Sequence, residues 1–423
     1  MKYTVKTFSN GLRLLTVPLK STETVTVLVL VATGSKYESK KNNGLSHFLE
    51  HMCFKGTIKR PSAKIISSEL DALGSQSNAF TSHEYTGYYA KGDSKKFKRL
   101  LDIVSDIYLN PIFPEAEIEK EKGVIIEEIN MYEDMPHRNV FDVFSALLYG
   151  DQPAGWPITG TKETVLSMQK SDFLSYHKEQ YTPSNTVIVV SGNISEKEVK
   201  EEVQKYFGKL SKKKPKKKIK VREEQKTPQL IIKHKTTDQS HFILGFRTYG
   251  KGHKYNRALS IISTLLGGGM SSRLFIKLRE ELGAAYYVDA QNDVSTDHGV
   301  FYIRAGVTNT KIEEVLREIL KELRRLQTEM VSDAELEKVK SYLLGNLKLF
   351  LEPSDDIANF FGQQAVLGEK IKNVHDIERE IRKITKKDIQ KVAQTIFTKN
   401  TLNLAIIGPF SDKKKFKDIL LHF

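Results

Sequence analysis

Two histidines and a glutamate lie within five consecutive positions of the segment GLSHFLEHMCFKGT, residues 44–57. On an α-helix, which turns by about 100° per residue, His47, Glu50 and His51 fall within an arc of about 100° and share one face. Imidazoles four positions apart can bind one metal ion, and a carboxylate beside them can act as a general base on metal-bound water. The segment therefore predicts either a hydrolytic metal site or two histidines that only pack and hydrogen-bond.

A catalytic zinc site uses three protein ligands and an open fourth position for water, so a further ligand must come from elsewhere in the chain. The single cysteine, Cys53, excludes a cysteine-based site and an intrachain disulfide. The acidic segment PEAEIEKEKGVIIEEINMYEDM, residues 114–135, is the best source of carboxylates. Glu121 and Glu128 are seven positions apart, which is two turns along one helix face. We predict Glu128 as the third ligand and Glu121 as a carboxylate that orients a ligating imidazole or the base, with Glu127 as the alternative ligand.

The order of predicted elements repeats on either side of a basic segment, KLSKKKPKKKIKVREEQK, residues 209–226. Each half contains a strand, a helix and a long charged helix, and closes with a helix, a β-branched strand and a last helix. This pattern predicts an α+β fold of two homologous domains, each a mostly antiparallel sheet covered by helices. We expect a metal-bearing domain over 1–212, a basic linker over 213–226 and a metal-free domain over 227–423.

The repeat allows one half to serve as a control for the other. Aligning AEIEKEKGVIIEE with AELEKVKSYLLGN, and the histidine helix with LSIISTLLGGGM, places different residues at the five polar positions. Those replacements are Ile261, Thr264 and Leu265 for the histidine motif, and Val339 and Asn346 for the two glutamates. Because the second half lacks the polar groups, the scaffold does not require them, and they point to a function of the first half.

The chain of 423 residues has a formal charge of +14, part of it concentrated in residues 209–226. That segment lacks interleaved aromatic residues, so we interpret it as a solvated linker and not as a nucleic-acid site. The first residues alternate apolar and polar side chains like a strand and do not have the apolar block of a secretory signal. No run of about 18 apolar residues suits a membrane-spanning helix. A cytoplasmic protein without a nucleic-acid or membrane partner is therefore expected.

The segment HFLEH is the inverted zinc motif H-x-x-E-H. Together with GLSHFLEHMCFKGT and EKEKGVIIEEI, it makes the chain resemble the pitrilysin/insulinase family of zinc peptidases over nearly its whole length. The nearest type is the mitochondrial processing peptidase and its bacterial relatives. The resemblance implies one zinc ion per chain, bound by His47, His51 and Glu128. It also implies that Glu50 is the base that activates water and that Glu121 corresponds to the family's second acidic residue.

Two further segments could contact a peptide. SNAFTSHEYTGYYAK, residues 77–91, suits an edge strand, which is either an ordinary sheet edge or a site where an extended peptide adds as a further strand. LGGGMSSRLFIKLREELGAAYYV, residues 266–288, does not match a phosphate-binding loop. By the resemblance, Asn78 and Ala79 lie on the peptide-binding strand. The resemblance also implies that Arg279 and Tyr286 contact substrate near the zinc from the metal-free half, where they would polarise the scissile carbonyl.

The resemblance implies that each chain forms half of a clamshell and that a homodimer holds two composite active sites. The leading hypothesis is therefore a zinc metalloendopeptidase that hydrolyses peptides or unfolded segments inside a closed chamber. A non-catalytic assembly subunit of the same fold is the alternative, although such subunits usually lose a member of the ligand and base set. A basic nucleic-acid-binding protein is a third hypothesis, for which residues 209–226 offer only charge.

Overall fold

The computed structural model describes residues 1–423 and contains two β-sheets with helices packed on them. The strands are β1 (Thr4–Thr7), β2 (Arg13–Pro18), β3 (Thr24–Val31), β4 (Gln76–Thr81), β5 (Thr86–Asp93), β6 (Thr186–Gly192), β7 (Gln229–His234), β8 (Gln239–Thr248), β9 (Ala285–Val294), β10 (Gly299–Thr308) and β11 (Leu402–Gly408). The helices of the first half are α1 (Leu45–Cys53), α2 (Ala63–Ala72), α3 (Phe97–Leu109), α4 (Glu115–Asp134), α5 (Pro136–Tyr149), α6 (Lys162–Ser167), α7 (Lys170–Gln180) and α8 (Glu196–Phe207). Those of the second half are α9 (Asn256–Gly267), α10 (Ile312–Thr328), α11 (Asp333–Phe350), α12 (Ser354–Val366), α13 (Val374–Lys383), α14 (Lys386–Ile396) and α15 (Lys414–Leu421), with a π-helical segment, Phe275–Glu281, between α9 and β9.

The first compact unit is built on a six-stranded sheet in the order β1-β2-β6-β3-β5-β4. Only the β2–β6 pair is parallel, and β4 is an outermost strand. The central strands β3 (TVTVLVLV) and β6 (TVIVVSG) are almost entirely buried. Their runs of β-branched residues do not alternate with polar ones, because helices cover both faces of the sheet. Helix α3 packs against β3 and β5, whereas α12 packs against β3 and β6.

The second unit has a five-stranded sheet in the order β7-β11-β8-β10-β9. This order matches β2-β6-β3-β5-β4 strand for strand, including one parallel pair, β7 with β11, and an outermost β9. Helix α9 packs on β9 and helix α5 packs on β11 and β8. The predicted α+β fold of two homologous, mostly antiparallel sheets covered by helices is therefore confirmed.

The units are not two continuous stretches of chain, which differs from the predicted boundaries at 1–212 and 227–423. The first unit comprises residues 1–130, 156–219 and 348–374, and the second comprises 131–155, 220–347 and 375–423. Helix α12 of the second half thus covers the first sheet, and α5 of the first half covers the second. Each half leaves one apolar sheet face open, and a helix from the other half buries it. The hydrophobic pattern of a helix shows that one of its faces is buried, but not which sheet buries that face.

Residues 213–226, the predicted linker, contain no helix or strand. Their first part belongs to the first unit, where Lys218 Nζ lies 2.5 Å from Glu84 Oε1, a carboxylate that is also 3.2 Å from Lys36 Nζ. The division between the units falls after Ile219. No helix of the chain combines the length and the apolar composition needed to cross a lipid bilayer.

Candidate metal centre

Helix α1 carries the histidine motif, and its start is fixed by the backbone. Gly44, at the N-cap, has a φ of 95°, and a Cβ there would lie 2.6 Å from the carbonyl oxygen of Thr159. Only glycine fits such a close approach in the left-handed region. One face of the helix is apolar and fully buried in the core of the first unit, through Leu45, Phe48, Leu49 and Met52. This packing leaves the face with both histidines and Glu50 turned away from the core.

Three side chains converge in the first unit to form a group that could hold a metal ion. The candidate ligand atoms of His47, His51 and Glu128 all lie within 4.8 Å of one another. Glu128 Oε2 is 3.6 Å from His47 Nε2 and 3.7 Å from His51 Nε2. Ligand atoms about 2.0–2.1 Å from a tetrahedral zinc ion would lie roughly 3.4 Å apart, so these separations fit such an ion. The donor set of two imidazoles and one carboxylate also suits zinc and leaves a fourth position open.

Glu127, the alternative ligand, is placed differently. Its side chain is exposed, and Asn130 Nδ2 lies 3.5 Å from Glu127 Oε1, so it is not a member of the cluster. The difference arises on α4, where neighbouring residues differ in direction by about 100°. Helix α4 therefore turns Glu128 toward the imidazoles and Glu127 toward solvent.

Glu121 lies seven residues, or two helical turns, before Glu128 and contacts the imidazole of His51. Glu121 Oε1 is 2.9 Å from His51 Nδ1, and its other oxygen is 2.5 Å from Lys55 Nζ. Burial alone would raise the pKa of Glu121, but the hydrogen bonds with His51 and Lys55 lower it overall. An ionised Glu121 accepts a hydrogen bond from the Nδ1–H of His51, which leaves Nε2 as the ring nitrogen that can bind a metal ion. The contact of Lys55 was not among the predicted ones.

The two imidazoles have different surroundings. Burial and the neighbouring His51 lower the pKa of His47 to about 4, against the opposing effect of Glu128. Burial also acts to lower the pKa of His51, but the hydrogen bond with Glu121 and three nearby carboxylates raise it overall. His47 Nδ1 is buried and has no hydrogen-bond partner. His47 is therefore neutral at neutral pH, as a metal-ligating imidazole must be.

Glu50, the predicted base, is linked to the neighbouring edge strand. Thr81 Oγ1, at the end of β4, donates a hydrogen bond of 2.6 Å to Glu50 Oε2. Burial raises the pKa of Glu50, and the bond from Thr81 opposes that shift. A raised carboxyl pKa brings a base closer to the pH at which a peptidase works. Thr81 was not among the predicted residues, although it lies two residues after Ala79 and therefore on the same face of the strand.

Asn78 and Ala79, the predicted peptide-binding residues, lie in the middle of β4. One side of β4 pairs with β5, and the strand is outermost in its sheet and packs beside α1. The Ala79 N–H lies 2.9 Å from Asn78 Oδ1, and Asn78 is exposed. The segment is thus an edge strand next to the candidate metal centre, with backbone groups that an extended peptide could pair with.

Arg279 and Tyr286 come together within the second unit. Arg279 lies in the π-helical segment, and Gly283, with a φ of 56°, turns the chain into β9. Arg279 Nη1 then donates to the Tyr286 carbonyl oxygen at 3.0 Å, and its guanidinium carbon lies 6.0 Å from the Tyr286 ring centroid. The Tyr286 side chain remains 71% exposed. These two residues belong to a different compact unit from the histidine cluster.

The second unit shows what the scaffold does without the polar groups. The positions equivalent to the two histidines and Glu121 are buried apolar residues, Ile261, Leu265 and Val339. Thr264 and Asn346 bond to carbonyl groups of their own helices. Of the two units, only the first contains a cluster of metal-ligating residues. The cluster is therefore an addition to a scaffold that folds without it.

The fold and the cluster define a two-unit α+β protein with one group of two histidines and a glutamate that could hold a metal ion. The chain belongs to the insulinase family, peptidase family M16. The family model described as "Insulinase (Peptidase family M16)" matches residues 13–162, and the model described as "Peptidase M16 inactive domain" matches residues 167–343. The resemblance stated from the sequence motifs is thus confirmed.

Similar proteins span the chain almost completely. The "uncharacterized zinc protease YmxG" of Bacillus subtilis is 36% identical over 403 residues, covering 95% of this chain and 97% of that protein. An "uncharacterized zinc protease" of Mycobacterium leprae is 33% identical over 420 residues, covering 96% and 92%. The crystal structure of a protease from Helicobacter pylori superposes with a TM-score of 0.92 at 26% identity, covering 96% of this chain and 99% of that one. A "peptidase M16 inactive domain" structure from Pseudomonas fluorescens shares the fold, with a TM-score of 0.89 at 17% identity and coverage of 98% and 100%.

Proposed function

We propose that this protein is a zinc-dependent metalloendopeptidase that hydrolyses peptides or unfolded polypeptide segments. The observation that carries the proposal is the convergence of His47, His51 and Glu128 within 4.8 Å, with Glu50 beside them on the same helix face. Relatives named zinc proteases, which match this chain over nearly its full length, support the choice of zinc.

The residues have separate roles in this proposal. His47, His51 and Glu128 would hold one zinc ion per chain, which when bound supplies a Lewis acid for the scissile carbonyl and for a water molecule. Glu50 accepts the proton of the attacking water and passes it to the leaving amine. Thr81 keeps the Glu50 carboxylate in place, and Glu121 holds the ring of His51 in one orientation.

The substrate would bind as an added strand on β4. An extended peptide forms backbone hydrogen bonds with an edge strand whatever its side chains, which suits a peptidase that accepts varied unfolded segments. Asn78 and Ala79 lie on that strand, and α1 packs beside it. A peptide in this position would run past the Glu50 carboxylate at the Thr81 end of the strand.

We further propose that Arg279 and Tyr286 act in trans, within a homodimer whose chamber contains two composite sites. Their guanidinium and phenol groups would stabilise the oxyanion that forms at the scissile carbonyl. The exposure of Tyr286 and the proximity of Arg279 support a shared contact with substrate. The alternative, a non-catalytic assembly subunit, is not favoured, because the chain keeps the complete set of ligands and base.

The role of Glu50 is tested by Glu50→Gln, which removes the base but keeps the shape of the side chain. We expect hydrolysis of a mixed peptide library to fall by about 10²–10⁴-fold, because general-base catalysis contributes that much. Metal content, measured by elemental analysis, should stay at the wild-type level. Glu127→Gln is the matched control on α4 and should change neither property. Near-native turnover of the Glu50 variant would refute the assignment.

A further inference from the structure

The buried carboxylate of Glu38 lies at the N-terminal end of α1. Glu38 is 4% exposed. Its Oε2 accepts hydrogen bonds from the Gly44 N–H at 2.8 Å and from Asn43 Nδ2 at 3.1 Å, and its Oε1 accepts one from the Ser46 N–H at 2.7 Å. Burial raises the pKa of Glu38 to about 7, and these bonds act in the opposite direction.

The carboxylate takes the place of the missing cap of α1. The N-cap residue is Gly44, which has no side chain to accept a bond from the first turn of the helix. The first N–H groups of a helix need acceptors, and an anion there is favoured by the helix dipole. Glu38 supplies both from outside the helix, and the N–H of Ser46 that it binds directly precedes His47.

Ser46 is also held from its side chain. Its hydroxyl lies 2.7 Å from the Tyr176 hydroxyl of α7, which in turn lies 2.8 Å from Thr33 Oγ1. Ser46 is fully buried, so its backbone and side chain are both fixed within the first unit. A shift of Ser46 along or around the helix axis would move His47 and, one turn later, His51.

The equivalent helix of the second unit provides a comparison. Helix α9 begins at Asn256, and its N-cap residue Tyr255, like Gly44 of α1, makes no side-chain hydrogen bond to the helix. Its residues Ile261 and Leu265 only fill the core, where packing tolerates small displacements better than metal coordination does. In α1, by contrast, the helix that receives the Glu38 bonds carries the two imidazoles, whose placement decides whether they can share one ion.

We infer that Glu38 is a positioning residue for the metal centre: its buried carboxylate fixes the start of α1 and thereby the placement of both histidines. This inference rests on the proposed metal site. Glu38 does not touch the metal or the substrate and acts through Gly44 and Ser46. Its replacement by glutamine would turn an amide NH₂ group toward backbone N–H donors, so that at least one of the hydrogen bonds to its carboxylate is lost.

The test uses cobalt binding to the metal-depleted full-length protein, followed by the visible absorption of the bound ion at pH 8, where Glu38 is ionised. Glu38→Gln should bind Co²⁺ about 10-fold more weakly, as is typical when a residue that orients ligands is changed, and should alter the absorption bands. The control is Asp106→Asn, because Asp106 is another buried carboxylate of the same unit and accepts bonds from Thr57, Arg60 and Asn110. That variant should lose stability but keep the cobalt spectrum and affinity.

If Glu38→Gln does not fold, Asn43→Ala removes one donor to the carboxylate and should weaken cobalt binding about threefold in the same direction. Wild-type cobalt affinity and absorption in the folded Glu38 variant, or equal losses in the Asp106 control, would overturn the inference and leave the proposed function intact. Absence of cobalt binding by the wild-type protein would instead overturn the proposed metal site, and the inference with it.

Discussion

Among the individual residues of the centre, Glu121 was predicted to orient an imidazole, whereas the contacts of Thr81 and Lys55 were not predicted. The spacing of seven between Glu121 and Glu128 was sufficient to predict that they share a face of α4, because both lie on one regular helix. Thr81 and Lys55 contact the centre from the end of a strand and from beyond the end of α1. Their positions depend on turns, and no periodicity in the sequence relates them to the histidines.

Thr81 provides a prediction for a single hydroxyl group. Thr81→Val keeps the volume and β-branching of the side chain but removes the donor to Glu50. We expect kcat to fall about 10-fold with little change in KM, because the freed carboxylate no longer stays in one orientation toward the attacking water. Thr81→Ser restores the hydroxyl and should recover most of the activity. Equal activity of the valine and threonine forms in a steady-state peptide assay would show that the bond has no positioning role.

The turn that follows α1 is tied to helix α3 by a buried ion cluster. Arg60 donates to Asp102 Oδ2 at 2.6 Å and to Asp106 Oδ2 at 2.8 Å, and Lys59 donates to Asp102 Oδ1 at 2.7 Å. Arg60 is 3% exposed, so removing one partner would leave a buried charge without compensation. This cluster joins the segment after α1 to α3, and none of its residues belongs to the candidate metal centre.

Because of this cluster, the free energy of unfolding should decrease at acidic pH. Burial acts to raise the pKa of Asp102, but Lys59 and Arg60 lower it to about 2, below the ordinary value of 3.8. A carboxyl whose pKa is depressed in the folded state stabilises the protein above about pH 4, and this stabilisation is lost as the pH falls toward 2. Asp102→Asn should cost about 2 kcal/mol in urea unfolding at pH 7, and the difference from wild type should shrink between pH 4 and pH 2. A difference that stays constant over that range would contradict the assignment.

The order of strands and helices could be predicted more fully than the question of which helix packs on which sheet. The strand and helix order of each half, and the edge position of the SNAFT segment, follow from hydrophobic pattern and turn residues. The exchange of α5 and α12 between units does not, because each helix has the same amphipathic pattern whichever sheet it covers. At Gly362 on α12, a Cβ would lie 2.6 Å from Leu30 Cδ1 of β3, which shows how closely this helix approaches a sheet from the other half.

Across the whole molecule, the two units share one strand order but carry different candidate functional residues. The first unit has the candidate ligands and the proposed base, and the second has Arg279 and Tyr286. If the proposed homodimer builds each site from both chains, the two sets can be supplied by different chains. Symmetric pairing of identical chains then produces two equal sites.

Co-expression of Glu50→Gln and Arg279→Ala chains tests this arrangement. Each variant alone should have little activity, whereas the mixture should recover about a quarter of wild-type activity, because half the dimers are mixed and each contains one intact composite site. Glu50→Gln mixed with Glu128→Gln, whose changes lie in the same unit, should not recover activity. Activity of the first mixture no higher than that of its parents, with mixed dimers present, would argue against assembly in trans.

In the proposed site, two imidazoles of α1 and one carboxylate of α4 hold a metal ion. The most direct measurement is metal content per chain after depletion and reconstitution with zinc, in the wild type and in two variants of neighbouring residues. We expect about one zinc ion per chain in the wild type and in Glu127→Ala, and almost none in Glu128→Ala, because only Glu128 belongs to the cluster. A wild-type protein without bound zinc, or a Glu128→Ala variant that retains it, would contradict the account.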